Sequence, residues 1–269
     1  MHATSLQSKL ARLRALLSDM QSVLVAYSGG IDSTFVLKVA HEQLKEMAVG
    51  ITAISPTFPS IELEAAERVA REIGARHEIV RTDQLEILEF VRNDAARCFH
   101  CKTDLYRLMG MLRRERAAAY MVDGTNLDDL GDDRPGITAA REWGVRSPLL
   151  EAELSKADIR ILAKALGLSN WDKPAAACLS SRIPRGITIT RERLSRLEEA
   201  EAVLHREGLR HYRVRDHGEI ARIELGQDEL QLFMETGRRA RVSASLKMLG
   251  FKFVTVDLEG YRPGGVSLS

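Results

Sequence analysis

The chain is short of cysteine, of net charge and of long apolar runs, and each shortage excludes something. Three of its 269 residues are cysteine. That number excludes a disulfide-rich secreted scaffold, and an odd count leaves at least one thiol unpaired. Lys and Arg number 39 against 38 Asp and Glu, a formal net charge of +1, so no global field recruits a polyanion. No run approaches the ~18 apolar residues of a membrane helix. The N-terminus has no signal-peptide pattern; Leu6, Leu10, Leu13, Leu17 and Met20 recur at helical spacing among Lys9, Arg12 and Arg14, which predicts an amphipathic helix and a cytoplasmic, reducing compartment.

What remains is ordinary for a globular protein: 45% apolar and 29% charged residues, with enough length for one large or two modest domains. A short apolar run at 23–28 ends in Gly29-Gly30 and leads into a helical pattern over 33–47. The alternation continues with strands near 50–55, 77–82 and 119–124 and helices over 60–73, 83–94 and 102–118. A short extended piece near 145–147 is a candidate fifth strand, and a helix over 155–166 follows. Such alternation predicts βαβ units: an α/β fold whose parallel sheet carries helices on both faces. Ligands of such sheets bind at the strands' carboxyl ends, here Ser28-Gly29-Gly30, Ser55-Pro56 and Asp123-Gly124-Thr125-Asn126.

After residue 170 the pattern changes. Segment 171–189 reads as an ordered loop, followed by a charged helix over 191–207, strands over 211–217 and 220–225, a helical stretch over 227–249 broken near Gly237, and a strand over 251–258. The expected organisation is an α/β domain over 1–172, an active-site loop over 173–189 and a small α+β domain over 190–269. There is no internal repeat.

The sharpest local signal is Ser28-Gly29-Gly30-Ile31-Asp32-Ser33 between a buried strand and a helix. Glycines let backbone N–H groups close on an anion, and the helix adds its positive end. Ser28 and Ser33 offer hydroxyl donors to phosphate oxygens, whereas Asp32 suits a Mg²⁺ ion or an orienting role in the loop. The Walker spacing is absent, which argues against γ-phosphate transfer. The motif resembles the PP-loop ATP pyrophosphatases (adenine nucleotide alpha hydrolase-like), which cleave ATP between the α and β phosphates. That resemblance implies that 28–33 hold the leaving pyrophosphate; Asp123 and Asn126, at the carboxyl end of another strand, are candidates for binding the nucleotide.

Cys98-Phe99-His100-Cys101 stands at the start of the 102–118 helix, where the helix terminus and Lys102 favour thiolates. Cys178 is flanked by Lys173, Arg182 and Arg185, a setting for a nucleophile. A CxxC alone fits a redox pair or half a zinc site equally well. In His211-Tyr-Arg-Val-Arg-Asp-His217 the alternate residues share one strand face, and Arg213 and Arg215 with two histidines suit a phosphate. Glu199 and Glu201 on the preceding helix are candidate bases or salt-bridge partners.

Taken in order, Arg97–Lys102, Asp123–Asn126, Lys173-Pro174, Cys178–Pro184, Arg213–Arg215, Ala221–Glu224 and Asp257–Arg262 are similar to segments of the LarE family of ATP-dependent sulfur transferases. The resemblance covers nearly the whole chain. It implies adenylation of a carboxylate of pyridinium-3,5-biscarboxylic acid mononucleotide by ATP with Mg²⁺, then sulfur insertion to give the thiocarboxylate. It implies Arg213 and Arg215 as ligands of the substrate phosphate and Cys178 as catalytic; Ser180 and Arg182, next to Cys178, are further candidates for the phosphate. In sacrificial members that cysteine gives up its sulfur and becomes dehydroalanine. In members with three cysteines, those matching Cys98, Cys101 and Cys178 resemble a [4Fe–4S] site with one open iron for an added sulfide, and this is the preferred reading here. The resemblance further implies a homo-oligomer, trimeric or hexameric, and an external sulfide source.

Two alternatives stand beside it. A tRNA-thiolating relative is disfavoured by the neutral charge and the scarcity of aromatics in 182–222. A nucleotide sensor without catalysis has no positive feature. One departure from the family is Pro263-Gly264-Gly265, where a serine-bearing turn is expected.

Overall fold

A computed structural model of the chain describes residues 5–131, 135–174, 177–234 and 236–261. In chain order the elements are α1 (Leu6–Asp19), β1 (Val23–Ala26), α2 (Ile31–Leu44), β2 (Ala48–Ile54), α3 (Ser60–Ile73), β3 (Arg76–Arg81), α4 (Leu88–Val91), α5 (Arg97–Glu115), β4 (Tyr120–Val122), α6 (Pro135–Glu142), α7 (Pro148–Glu151) and α8 (Lys156–Ala165). Then come α9 (Arg191–Arg206), β5 (Tyr212–His217), β6 (Ile220–Leu225), α10 (Gln227–Phe233), α11 (Thr236–Met248) and β7 (Phe253–Val256). Single 3-10 turns occupy Lys45–Met47, Gln84–Glu86, Leu127–Gly131 and Leu179–Arg182.

Two compact units result. The first comprises 1–55, 60–83 and 98–176, and the second 56–59, 84–97 and 177–269. The second unit is therefore discontinuous: two short pieces from the first half of the chain cluster with the C-terminal segment.

In the first unit four parallel strands lie in the order β3-β2-β1-β4, the α/β sheet that the alternation predicts. Strand β1 shows why helices cover both faces. Val23 and Val25 join a cluster with Leu10, Leu13 and Leu17 of α1 and Phe35 of α2. Leu24 and Ala26 point the other way, into a cluster with Tyr106 and Met109 of α5 and Ala139 and Ala140 of α6. The period of two places successive residues on opposite faces, so a strand buried on both sides must be apolar throughout. Each fully buried leucine of α1 contributes about 1.5–3 kcal/mol. The helix starts on Ser5, whose hydroxyl accepts from Ser8 N at 3.1 Å.

The second unit is a three-stranded sheet in the order β5-β6-β7, with β5 and β6 antiparallel and β6 and β7 parallel.

Three local expectations differ from the structure. The helix expected over 83–94 is a 3-10 turn plus the single turn α4, ending at Asn93 with φ of 57°. Tertiary bonds override propensity there: Ile189 N donates to Val91 O and Gly186 N to Asn93 O. The fifth strand at 145–147 is one bridge, Val122 to Arg146, because Pro148 opens α7 directly afterwards. Helix α5 starts at Arg97 rather than 102, so both cysteines of the CxxC lie inside it.

Candidate active site

The strand–turn–helix junction folds as the Gly-Gly pair demands. Gly29 sits at φ of 71° and Gly30 is the N-cap of α2. A β-carbon on Gly29 would lie 2.7 Å from that of Ala66, so both the dihedral and the space require glycine. The Ser28 and Ser33 hydroxyls are 3.2 Å apart, Ser28 N donates to Ser33 Oγ at 3.2 Å, and Ser33 Oγ donates to the Gly30 carbonyl at 3.1 Å. Two hydroxyls and the N–H groups of a helix start thus converge on one spot, the geometry of an anion cradle.

The end of β4 packs directly against this cradle. A β-carbon on Gly124 would stand 2.8 Å from Ser33 N. Beside it the buried Asp123 accepts four hydrogen bonds: from Tyr106 Oη (3.0 Å) and Thr125 Oγ1 (2.9 Å) on Oδ2, and from Thr125 N (3.1 Å) and Ser147 Oγ (2.8 Å) on Oδ1. Asp123 thereby fixes the course of the strand end. Asn126 is 1% exposed, and its Oδ1 accepts from Asp128 N at 3.0 Å.

Asp32 lies in the first turn of α2, and its Oδ2 is paired with the Lys156 ammonium. Burial pushes its carboxyl above the usual range, partly countered by Lys156. Its Oδ1 is buried without a hydrogen-bond partner. An orphaned carboxylate oxygen beside an anion cradle fits a Mg²⁺ ligand. Three supporting residues escaped the sequence reading as site residues. Lys156 occupies the first turn of α8, where a cation opposes the helix dipole, and that misplacement was a usable sign of an acidic partner. Tyr106 carried no signal in its pattern. Asn170 donates to the Gly29 carbonyl at 3.1 Å and to Thr34 Oγ1 at 3.0 Å, which no local pattern announces.

Cys98 is exposed and Cys101 half-buried, one turn apart on the same side of α5, and neither is in a disulfide. Lys102 follows, its ammonium 5.5 Å from the Tyr106 ring centre. Tyr106 chiefly, with Asp123 and Cys101, holds the Lys102 ammonium above its ordinary value against burial. Burial pushes the Tyr106 hydroxyl well above its own. Within either unit, among the described residues, no three His, Cys, Asp or Glu side chains gather as a metal centre.

In the second unit Cys178 is half-buried, outside any disulfide and the N-cap of the Leu179–Arg182 turn, with Sγ 2.9 Å from Ser180 Oγ. This short turn is held from several sides. Leu179 N donates to Thr57 O at 2.9 Å, Arg97 Nη1 to Ser180 O at 3.0 Å, and Asn93 Nδ2 to the carbonyls of Pro184 and Ile187 at 2.8 and 2.9 Å. Arg182 is turned inward: Nε and Nη2 each donate to Glu201 at 3.0 Å, and Nη1 donates to the carbonyls of Ala177 and Cys178.

Arg215 is engaged in the same manner, with Nε and Nη2 each 2.9 Å from Glu224 and Nη1 on the Ser181 carbonyl. Of the four residues expected to hold a phosphate, Ser180 is fully buried, and Arg182 and Arg215 are each committed to a buried carboxylate. Arg213 is half-buried, stacked at 5.0 Å on Tyr261 and donating to Tyr212 O at 2.7 Å. Burial, together with Arg182 and Arg215, pushes its guanidinium below the ordinary value. His211 precedes the strand, His217 ends it, and both are exposed. Glu199 is exposed on α9, while Glu201 takes the pairing role. Arg262 and the Pro263-Gly264-Gly265 departure lie outside the described residues.

Comparison with known proteins decides between the superfamily's branches. The asparagine synthase family model matches residues 13–118, the part that contains the cradle. The pyridinium-3,5-bisthiocarboxylic acid mononucleotide synthase of Lactiplantibacillus plantarum is 38% identical over 261 residues, 97% of this chain and 94% of that protein. The chain belongs to the LarE family of ATP-dependent sulfur transferases. Other relatives of this LarE family member are an uncharacterized protein of Synechocystis, 44% identical over 96% of this chain and 97% of its own length, and an uncharacterized protein of Methanocaldococcus jannaschii, 29% identical over 94% and 97%. No helix among its described residues is long and apolar enough to cross a membrane.

Proposed function

We propose that this enzyme adenylates a carboxylate of pyridinium-3,5-biscarboxylic acid mononucleotide and replaces an oxygen of that carboxylate by sulfur. The substrate carboxylate attacks the α-phosphorus of ATP, and pyrophosphate leaves into the cradle of Ser28, Gly29, Gly30 and Ser33. Asp123 and Asn126 shape the nucleotide side, and Asp32 holds Mg²⁺ through the oxygen that Lys156 does not cover. A sulfur nucleophile then attacks the acyl carbon, and AMP departs with its electron pair. The observation that carries the reading is the cradle itself, two serine hydroxyls 3.2 Å apart at the N-terminus of α2, in a chain similar along its length to an enzyme named for the bisthiocarboxylic acid mononucleotide.

For the sulfur we propose that Cys98, Cys101 and Cys178 together bind a [4Fe–4S] cluster. The donor set fits: three thiols outside any disulfide, two of them one helical turn apart. When bound, the cluster supplies a site for transferable sulfide from an external source. Arg213 takes the substrate phosphate from the face it shares with Arg215, while Arg182, Arg215 and Ser180 keep that face and the Cys178 turn in register. The enzyme works as a homo-oligomer in a reducing, cytoplasmic compartment, and its partner molecules are small nucleotides rather than RNA.

A second reading rests on the 2.9 Å approach of Ser180 Oγ to Cys178 Sγ. A hydroxyl at that distance suits a cysteine that itself attacks the acyl carbon, displaces AMP and is later cleaved at Cβ–S on loss of its Cα proton, leaving dehydroalanine. Mass analysis of Cys178 after turnover, beside an iron and sulfide assay of anaerobically prepared protein, separates the two. Intact Cys178 with bound iron and sulfide is the expected result. Dehydroalanine at 178 overturns the cluster reading, and failure to form AMP, pyrophosphate and thiocarboxylate from the dicarboxylate nucleotide and ATP overturns the function.

A further inference from the structure

One peptide plane in the cradle is held from behind. The Gly29 carbonyl receives the Asn170 amide at 3.1 Å and the Lys173 ammonium at 3.4 Å. In a planar trans peptide the C=O of one residue and the N–H of the next point in opposite directions. Gripping the Gly29 oxygen therefore aims the Gly30 N–H the opposite way, toward Ser28 Oγ at 3.4 Å and the anion site. The grip has work to do because this peptide joins two glycines, which turn through more of conformational space than any other pair. Asn170 donates its second amide hydrogen to Thr34 Oγ1 at 3.0 Å, so one side chain ties the loop to the first turn of α2. Asn170 is 8% exposed, and its Oδ1 is buried with no partner. The amide has given up acceptor bonding to serve two acceptors as a donor. Lys173 is fixed in turn by Glu62 Oε2 at 2.7 Å.

We infer that Asn170 is a positioning residue for pyrophosphate: it orients the Gly29–Gly30 peptide so that the Gly30 N–H meets the anion, with Lys173 as the second grip. The inference rests on the reading of residues 28–33 as the pyrophosphate cradle. Asn170 acts through the loop and touches no substrate atom. Its effect therefore falls on the pyrophosphate half of the nucleotide and spares the AMP half, a split that general loosening of the fold would not produce.

The test is calorimetric titration of the full-length chain with inorganic pyrophosphate and, separately, with AMP, both in magnesium buffer. Asn170→Asp keeps the shape, removes both donors and sets an acidic oxygen against the Gly29 carbonyl. It is expected to weaken pyrophosphate at least about tenfold, the effect of a lost hydrogen bond plus an adverse contact, and to leave AMP within about twofold. Should the Asn170→Asp variant not fold, Thr34→Val, which removes the other anchor of the amide at nearly constant volume, carries the same expectation at about threefold. Unchanged pyrophosphate affinity in a folded variant overturns the inference, as does parallel weakening of AMP. Ser33→Ala is the control: if it too leaves pyrophosphate untouched, the cradle reading itself falls, whereas an effect there and none at Asn170 removes only the positioning role.

Discussion

The guanidinium of Arg182 meets the carboxylate of Glu201 in a two-pronged pair, Nε on Oε1 and Nη2 on Oε2, each at 3.0 Å, with the arginine side chain only 3% exposed. Burial works against the arginine's charge, but the Glu201 carboxylate chiefly, with Cys178 and Tyr261, holds the guanidinium above its ordinary value. Glu201 Oε1 also accepts from Val214 N of β5 at 3.1 Å. One carboxylate thus joins α9, the sheet strand β5 and the turn that carries Cys178.

Removing that carboxylate leaves a buried, uncompensated cation, which costs about 3–5 kcal/mol. Glu201→Ala is expected to lower the urea-unfolding free energy by that amount and to release the Ala177 and Cys178 carbonyls that Arg182 holds. Sulfur transfer should fall more than adenylation, since the cradle lies in the other unit. A loss under about 1 kcal/mol would mean that the pair does not organise the turn.

Gly124 makes a different kind of prediction, steric rather than electrostatic. Gly124→Ala would set its methyl 2.8 Å from Ser33 N and 3.2 Å from Asp32 Cβ, contacts with a helix start that cannot move aside as a side-chain tip can. Overpacking of this kind costs about 1–3 kcal/mol. The larger effect is expected on ATP-dependent pyrophosphate release, about a hundredfold, because a shift of roughly 1 Å at a reacting site costs that much. Near-normal release from a folded protein would separate the strand end from the cradle.

How far such features were legible in the sequence depends on the range of the interaction. The cradle was readable because strand, glycine pair and helix start are consecutive. The strand face at Arg213 and Arg215 was also readable from the period of two. What it faced was not: Glu224 meets Arg215 only through the antiparallel register of β5 and β6. Glu201 was a candidate salt-bridge partner beside Glu199, but its pairing with Arg182, 19 positions away, was not readable. Which arginines of the cluster are paired with carboxylates is therefore settled by tertiary contacts and not by the local pattern. Helix 83–94 is cut short for a similar reason, since the carbonyls of Val91 and Asn93 accept from Ile189 N and Gly186 N.

The sheet of the first unit carries a titratable group with a predictable sign. His77 Nε2 is 2.8 Å from Thr52 Oγ1, its ring lies edge-on to Tyr27 at 5.1 Å, and burial pushes its pKa below 6.5. The folded state therefore takes up this proton at lower pH than the unfolded chain. Its contribution to stability is constant above pH ~6.5 and is lost as pH falls below that value, where the unfolded chain binds the proton first. His77→Gln, which cannot titrate, should flatten the decline in melting temperature between about pH 6.5 and 5. An unaltered pH profile would assign the decline to other groups.

Asp123 offers the most stringent test of the hub beside the cradle, because all four of its partners donate. Asp123→Asn turns one oxygen into a donor, so either Tyr106 and Thr125 Oγ1 or Thr125 N and Ser147 face a group that cannot accept. Loss of charged-acceptor bonds of this kind costs about 1.5–3 kcal/mol each, and the variant should melt at markedly lower temperature. Tyr106→Phe separates the assignments. In the parent it removes a donor from a satisfied acceptor and is expected to destabilise by about 1 kcal/mol. In the Asp123→Asn background, with the amide nitrogen turned toward Tyr106, it removes a donor that opposes another and should cost less or restore stability. A double-mutant cycle with a coupling of about 1 kcal/mol or more supports the hub. Strict additivity would show that Tyr106 and Asp123 contribute independently and that the strand end is held by Ser147 and Thr125 alone.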